Sequence, residues 1–216
     1  MGHEARPLLI LGSRILAVEV ADLVSEIPDF QLKGFVENME RERCAEELEG
    51  LPIHWVDDTA DLVGTHWAVC ALGTTHRSRF IQQAASLGFR FATLVHPWAR
   101  ISPSSQVGEG TIISPGVIVA SNSVLGRHVF VNRGVLIGHH TKIGDYVTIQ
   151  PGANIAGVCR IGQATYIGMG ALVLDRIKIG SHSVIGAGAV VNKDVPDHVQ
   201  VVGVPARIVK ENIPGK

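Results

Sequence analysis

From Val131 the chain reads Val131-Asn-Arg-Gly-Val-Leu-Ile137-Gly-His-His-Thr-Lys-Ile143-Gly-Asp-Tyr-Val-Thr-Ile149, with an aliphatic residue at every sixth place. The same step extends in both directions. Upstream it passes through Leu125, Val119, Ile113 and Val107 to Ile101. Downstream it passes through Ile155, Ile161, Ile167, Val173, Ile179 and Ile185 to Val191, making sixteen positions without an exception. Four residues beyond each lies a second register, including Thr111, Ser123, Val135, Thr141, Ala153, Cys159 and Ala189, with nothing larger than Ile. Glycine often follows the first register directly, as at Gly108, Gly126, Gly138, Gly144, Gly162, Gly168, Gly180 and Gly186.

A period of six matches neither a helix nor the two-residue alternation of a strand. It fits a triangular coil in which each side uses one hexad and points one branched and one smaller side chain inward. The corners between sides then need small or φ-positive residues. Stacked rungs of three sides satisfy one another's backbone groups and bury a continuous aliphatic column. A chance run of Val and Ile in a β-sandwich would not hold this phase through sixteen hexads.

Before residue 100 the character changes, and eight of the eleven aromatic residues lie there. Periodicity predicts strands over 7–12, 31–36, 52–56, 67–72 and 91–95, and helices over 15–25, 40–48 and 77–87. Such alternation implies a small parallel sheet with crossover helices. The expected organisation is a Rossmann-like parallel α/β domain over 1–98 followed by a β-helix over 99–216.

Composition narrows the function. With 19 basic and 20 acidic residues among 216, the net charge of −1 gives no electrostatic basis for nucleic-acid binding. No apolar run is long enough to span a bilayer. The five-residue apolar run ending at Leu11 reads as a strand rather than a signal peptide. The three cysteines, Cys44, Cys70 and Cys159, lack CxxC spacing, so neither a disulfide framework nor a structural zinc site is expected. The expected location is the cytoplasm.

The first βα turn, Leu11-Gly12-Ser13-Arg14, carries only the first glycine of a dinucleotide fingerprint. A phosphate or nucleoside could still sit at the N-terminus of the helix near Ile15, with Arg14 as a bidentate partner. Equally, Gly12 could merely end a strand and Arg14 be a solvated first-turn residue. Of the histidines in the hexads, His128, His139, His140 and His182 occupy the third or fourth places and are expected at corners, facing outward. A neutral imidazole there can act as a base near neutral pH.

The [Ile/Val/Leu]-Gly-x-x-[small]-x hexads and the closing Val202-Gly-Val-Pro-Ala-Arg207 resemble the hexapeptide-repeat acyltransferases, which fold as left-handed parallel β-helices. Several segments resemble one branch of that class, the sugar acetyltransferases of bacterial glycan synthesis. They are Val131 through Asp145, Leu72-Gly73 with Arg77, Leu94-Val95-His96-Pro97, and Pro151-Gly152-Ala153 with Gly157. The resemblance implies acetyl-CoA as co-substrate, no metal, a nucleotide-linked amino sugar as acceptor, and a homotrimer with the coenzyme between neighbouring subunits. It implies His139 as general base, with His140 and Asn132 beside it and the Gly157 amide on the thioester oxygen. Thr148, Gly157, Met169 and Ala187 would face the coenzyme, while Gly12, Arg14, Glu37 and Gly73 would serve the acceptor. The zinc-binding β-helical carbonic anhydrases have histidines offset by 36 and then 5 residues. From His96 those offsets fall on Asn132 and Ile137, and from His139 on Asp175 and Gly180, so that reading fails.

Two departures from the branch stand out. Its members carry Asp or Glu directly after the base, where this chain has His140. They also carry a histidine-bearing glycine turn where this chain has Gly12-Ser13-Arg14, and an acidic pair where it has Glu37-Asn38. The rival readings are an O-acyltransferase acting on a small hydroxyl acceptor and a non-catalytic β-helix binding protein.

Overall fold

A computed structural model describes residues 4–216. The chain forms two units, one comprising residues up to 73 together with 77–97, the other comprising 74–76 and 98–216.

In the first unit the elements run β1 (Arg6–Leu11), α1 (Ile15–Ser25), β2 (Phe30–Glu37), β3 (Glu47–Leu48), β4 (Leu51–Trp55), β5 (Trp67–Cys70), α2 (Ser78–Ser86) and β6 (Arg90–Phe91). They build one sheet in the order β3-β4-β2-β1-β5-β6, parallel except for β3. Strand β1 is central, and its Leu8, Leu9, Ile10 and Leu11 are wholly buried. Helix α1 buries Ala17, Val20, Leu23 and Val24, and α2 buries Phe80, Ile81 and Ala84. The C-terminal ends of β1, β2 and β5 therefore place Gly12, Glu37 and the Ala71–Gly73 turn along one edge, where ligands of open parallel sheets bind.

The helix expected over 40–48 does not form. A single 3₁₀ turn, Arg41–Ala45, leads into β3, which pairs antiparallel with β4. Glu49 and Gly50, at φ 51° and 70°, make the two-residue turn. Two consecutive left-handed residues favour a tight hairpin over a continued helix, whatever the helix propensity of the charged residues before them. The strand expected over 91–95 is likewise split, into β6 and Leu94–Val95.

The second unit is a left-handed parallel β-helix. Each hexad supplies one two-residue strand, and residues eighteen apart pair in register: Ile113 with Val131, Val131 with Ile149, Ile149 with Ile167. The inward positions from Thr111 to Val195 are buried in both registers. Three columns of corners result. The first holds 121–122, 139–140, 157–158 and 175–176; the second holds 127–128, 145–146, 163–164 and 181–182; the third holds 133–134, 151–152, 169–170 and 187–188. At the third corner the fourth hexad place is always glycine, from Gly116 to Gly188, with φ between 63° and 70°. Glycine is not obligatory for this backbone, since Asn122, His140, Val158 and Arg176 take the same region at the first corner.

The inner column is not purely aliphatic. Where its small register holds hydroxyls, each one bridges two rungs. The Thr141 hydroxyl donates to the Ala156 carbonyl at 3.1 Å and accepts from the Cys159 N–H at 3.3 Å, and Ser105, Thr111, Ser123 and Ser183 do the same along the column. Buried polar groups need such partners. Thr141→Val, nearly isosteric, leaves both backbone groups unsatisfied and is expected to cost about 1–3 kcal/mol, read as a lowered denaturation midpoint with unchanged m.

One expectation about the corners fails. His128 does not face solvent; it is buried, with its ring stacked on Tyr146 one rung on, centroids 5.4 Å apart and planes 7° off parallel. The large flat neighbour at the same corner covers it.

Candidate active site

At the first corner His139 and His140 follow Gly138 and are both exposed. Gly138 lets the rungs close up, because a Cβ there would lie 2.5 Å from the Ala156 carbonyl carbon and the Gly157 nitrogen. Directly behind the histidines, Thr141 pins the corner through the bridge described above. The two rings meet edge to face at 86°, with Nδ1 to Nδ1 at 3.1 Å, a distance that requires one shared proton. The far nitrogen of His139, Nε2, lies over Gly157, where a Cβ would come within 2.8 Å of it.

The Gly157 amide is available as a donor, as are most amides at this hexad place. At the third hexad place the N–H points along the prism and has no strand partner. Arg127 and Ser181 have theirs capped by the carboxylates of Asp145 and Asp197 on the next rung, at 2.8 and 2.7 Å. Asp175 stands in that place below Gly157, but its carboxylate turns to Arg176 at 3.5 Å. The Gly157 N–H therefore makes no backbone hydrogen bond among the described residues. A base nitrogen and a free donor at one exposed corner are the two parts that acyl transfer to a nucleophile requires.

Met169 and Ala187 lie at the third corner, one rung apart, and line a groove of about 670 Å³. Its far wall is the C-terminal segment, where the Ile213 N–H donates to the His198 carbonyl and the Lys216 ammonium lies 4.1 Å over the Tyr166 ring. Beside it, a Cβ on Gly152, Gly170 or Gly188 would meet nothing, so an extended arm has open room along this corner. Asn132 stands at the same third corner, with its side-chain oxygen accepting the Arg133 N–H at 2.8 Å. Within one chain the expected site residues thus fall into two groups, His139, His140 and Gly157 at one corner and Asn132, Met169 and Ala187 at another. Thr148 joins neither group. It is fully buried.

Among the residues assigned to the acceptor, Gly12 needs its glycine: its φ is 115°, and a Cβ there would lie 3.3 Å from the Leu72 side chain. Gly73 closes the same edge. Glu37 is almost wholly buried and its oxygens are engaged internally, Oε2 by the Ser13 hydroxyl at 2.5 Å and Oε1 by the Asn38 and Met39 N–H groups at 2.9 and 2.8 Å. Burial would push its carboxyl up, but these hydrogen bonds outweigh it and hold the group below its usual range. Glu37 therefore shapes the turn instead of presenting a free carboxylate. Arg43, which the sequence reading missed, clamps that turn through Nε to the Ser13 hydroxyl and Nη2 to its carbonyl at 3.0 and 2.7 Å. Arg14 stands at the N-cap position of α1 without a side-chain capping bond and pairs with Glu40, so its guanidinium is exposed but already partnered.

The two buried thiols, Cys70 and Cys159, are not nucleophile candidates. Burial pushes Cys70 up to about 12 despite the nearby Arg77 guanidinium, and burial raises Cys159 inside the column. Among the described residues no three His, Cys, Asp or Glu side chains converge as a metal cluster, and no helix is long and apolar enough to cross a membrane.

The bacterial transferase hexapeptide (six repeats) family matches residues 122–157 and 159–193. The second unit thus carries the hexapeptide repeats of that transferase family. Three solved structures resemble it nearly end to end. A variant of perosamine N-acetyltransferase from Caulobacter crescentus, in complex with CoA and GDP-perosamine, has a TM-score of 0.87 at 26% identity, covering 95% of this chain and 97% of that one. The acetyltransferase domain of PglB from Neisseria gonorrhoeae, in complex with acetyl coenzyme A, has a TM-score of 0.86 at 29% identity, covering 95% and 100%. WeeI from Acinetobacter baumannii has a TM-score of 0.87 at 27% identity, also covering 95% and 100%. No curated protein sequence matches the chain.

Proposed function

We propose that this protein transfers an acetyl group from acetyl-CoA to the amino group of a nucleotide-linked amino sugar. The observation that carries the reading is the His139 Nε2 held over Gly157 at an exposed corner beside an uncapped amide. The likeness over both units to an N-acetyltransferase bound to CoA and GDP-perosamine supports the choice of substrates.

His139 Nε2 takes the proton as the amine attacks the thioester carbon, and the Gly157 N–H meets the oxygen as it becomes anionic. Collapse of the adduct expels the coenzyme thiolate, which recovers the proton from His139. The groove at Met169 and Ala187 fits a linear pantetheine arm, and the coenzyme would supply the activated acyl group there. Because His139 and that groove belong to different corners, a complete site draws on two copies of the chain. This favours a homotrimer whose corners meet. The edge formed by Gly12, Ser13 and Gly73 would receive the nucleotide, with the Ser13–Glu37–Arg43 network setting its shape.

The deciding assay incubates the protein with acetyl-CoA and a panel of nucleotide-linked amino sugars beside their hydroxyl counterparts, following thiol release. Turnover with an amine and none with the matching hydroxyl is the expected result. Transfer only to hydroxyls would replace this reading by O-acylation, and coenzyme binding without any turnover would replace it by a binding role.

A further inference from the structure

The fourth hexad place at the first corner reads Ser104, Asn122, His140, Val158, Arg176 down successive rungs. Asn122 and His140 both have φ of 57° and are locked in step, the His140 N–H donating to the Ser121 carbonyl at 2.9 Å and the Asn122 N–H to the Ser104 hydroxyl at 3.0 Å. Their side chains touch, with the Asn122 amide nitrogen Nδ2 placed 3.4 Å from His140 Nε2. Asn122, His140 and His139 thus form a chain of three side chains ending at the nitrogen over Gly157.

Proton bookkeeping allows two arrangements, because a neutral imidazole has one donor and one acceptor and an amide can present either end. In the first, the Asn122 NH₂ donates to His140 Nε2, and His140 Nδ1–H donates to His139 Nδ1. His139 then carries its own proton on Nε2 and has no lone pair over Gly157. In the second, with the Asn122 amide turned over so that Oδ1 takes the place of Nδ2, His140 Nε2–H donates to that oxygen, and His139 Nδ1–H donates to His140 Nδ1. His139 Nε2 is then the free base. Only the second survives the reaction. When His139 gains a proton, its Nδ1–H still faces a lone pair, whereas the first arrangement would set two N–H groups against each other at 3.1 Å.

We propose that Asn122, acting through His140, is the positioning residue that fixes the tautomer of His139, in place of a carboxylate directly beside the base. This deepens the function proposed above and rests on it for its purpose. The test is read first without substrate, on the intact protein. Imidazole ¹⁵N spectra should show the His139 proton on Nδ1, and Asn122→Leu should shift it toward Nε2. Val158 and Arg176 show that this backbone accepts side chains, so the variant is expected to fold, which its melting curve checks. In the acetyl-transfer assay Asn122→Leu should lower kcat about tenfold with KM unchanged, a usual scale for loss of an outer partner. Asn122→Asp can only accept, so it should keep activity. Its charge favours imidazolium, so it should move the acid limb of the pH profile to higher pH. A His139 tautomer that is Nε2–H in the parent protein, or that is the same in Asn122→Leu, overturns the proposal. The spectra stand apart from turnover, so a failed acceptor assay and a failed tautomer shift are told apart.

Discussion

His139→Ala is expected to lower kcat by about 10²–10⁴, the usual share of a positioned general base, while KM for both substrates and the melting temperature stay close to the parent values. The size follows from the amine: at neutral pH the attacking nitrogen must shed a proton as the adduct forms, and the Gly157 amide cannot accept one. The absence of a stability cost follows from the structure. His139 is exposed, and its ring contacts are His140 at the same corner and the Gly157 backbone. The acid limb of the kcat/KM profile should vanish with the ring. Residual turnover reports what the amide and binding alone contribute. Parent-level kcat in the variant would remove His139 from the chemistry.

The hexads made the second unit legible because period six has one three-dimensional solution that buries both registers. Handedness was not in that period, since a mirror-image coil would repeat identically. Corner membership was legible too: Met169 and Ala187 differ by one rung, whereas His139 and Met169 differ by thirty residues, which is not a whole number of rungs. That arithmetic already separates His139 from the groove. The hydroxyl ladder behind Thr141 was hidden because Thr and Ser suit the small register by size alone. His128 was misread because hexad place sets direction, not cover, and cover comes from Tyr146 a rung away. In the first unit the alternation of strand and helix was plain, but 40–48 was decided by the left-handed pair Glu49-Gly50 beyond it. Glu37 lies at the C-terminal end of β2, close to where the strand was expected to end, yet its engagement by Ser13 and two amides depends on loop geometry that spacing does not encode.

Gly157→Ala should leave the fold intact and still cost about 10–10² in kcat, because it moves the base and not the donor. The backbone at Gly157 is not in the left-handed region, so alanine is unstrained there. The new methyl, however, would lie 2.8 Å from His139 Nε2 and 2.9 Å from its Cε1, inside any real contact distance. The ring is the flexible partner and must swing by more than half an ångström, on the scale at which misplaced groups lose about 10²-fold. The amide N–H stays in position, so oxyanion stabilisation survives. Two comparisons separate this from a packing effect. Gly138→Ala would press its methyl against backbone at 2.5 Å and should unfold the corner, with a lowered melting temperature that Gly157→Ala does not share. In the double variant His139→Ala/Gly157→Ala the second substitution should cost nothing further, since there is no ring left to displace. Full additivity of the two losses would show instead that the methyl acts on the amide or the coenzyme, and that the contact between Nε2 and Gly157 is not what holds the base in place.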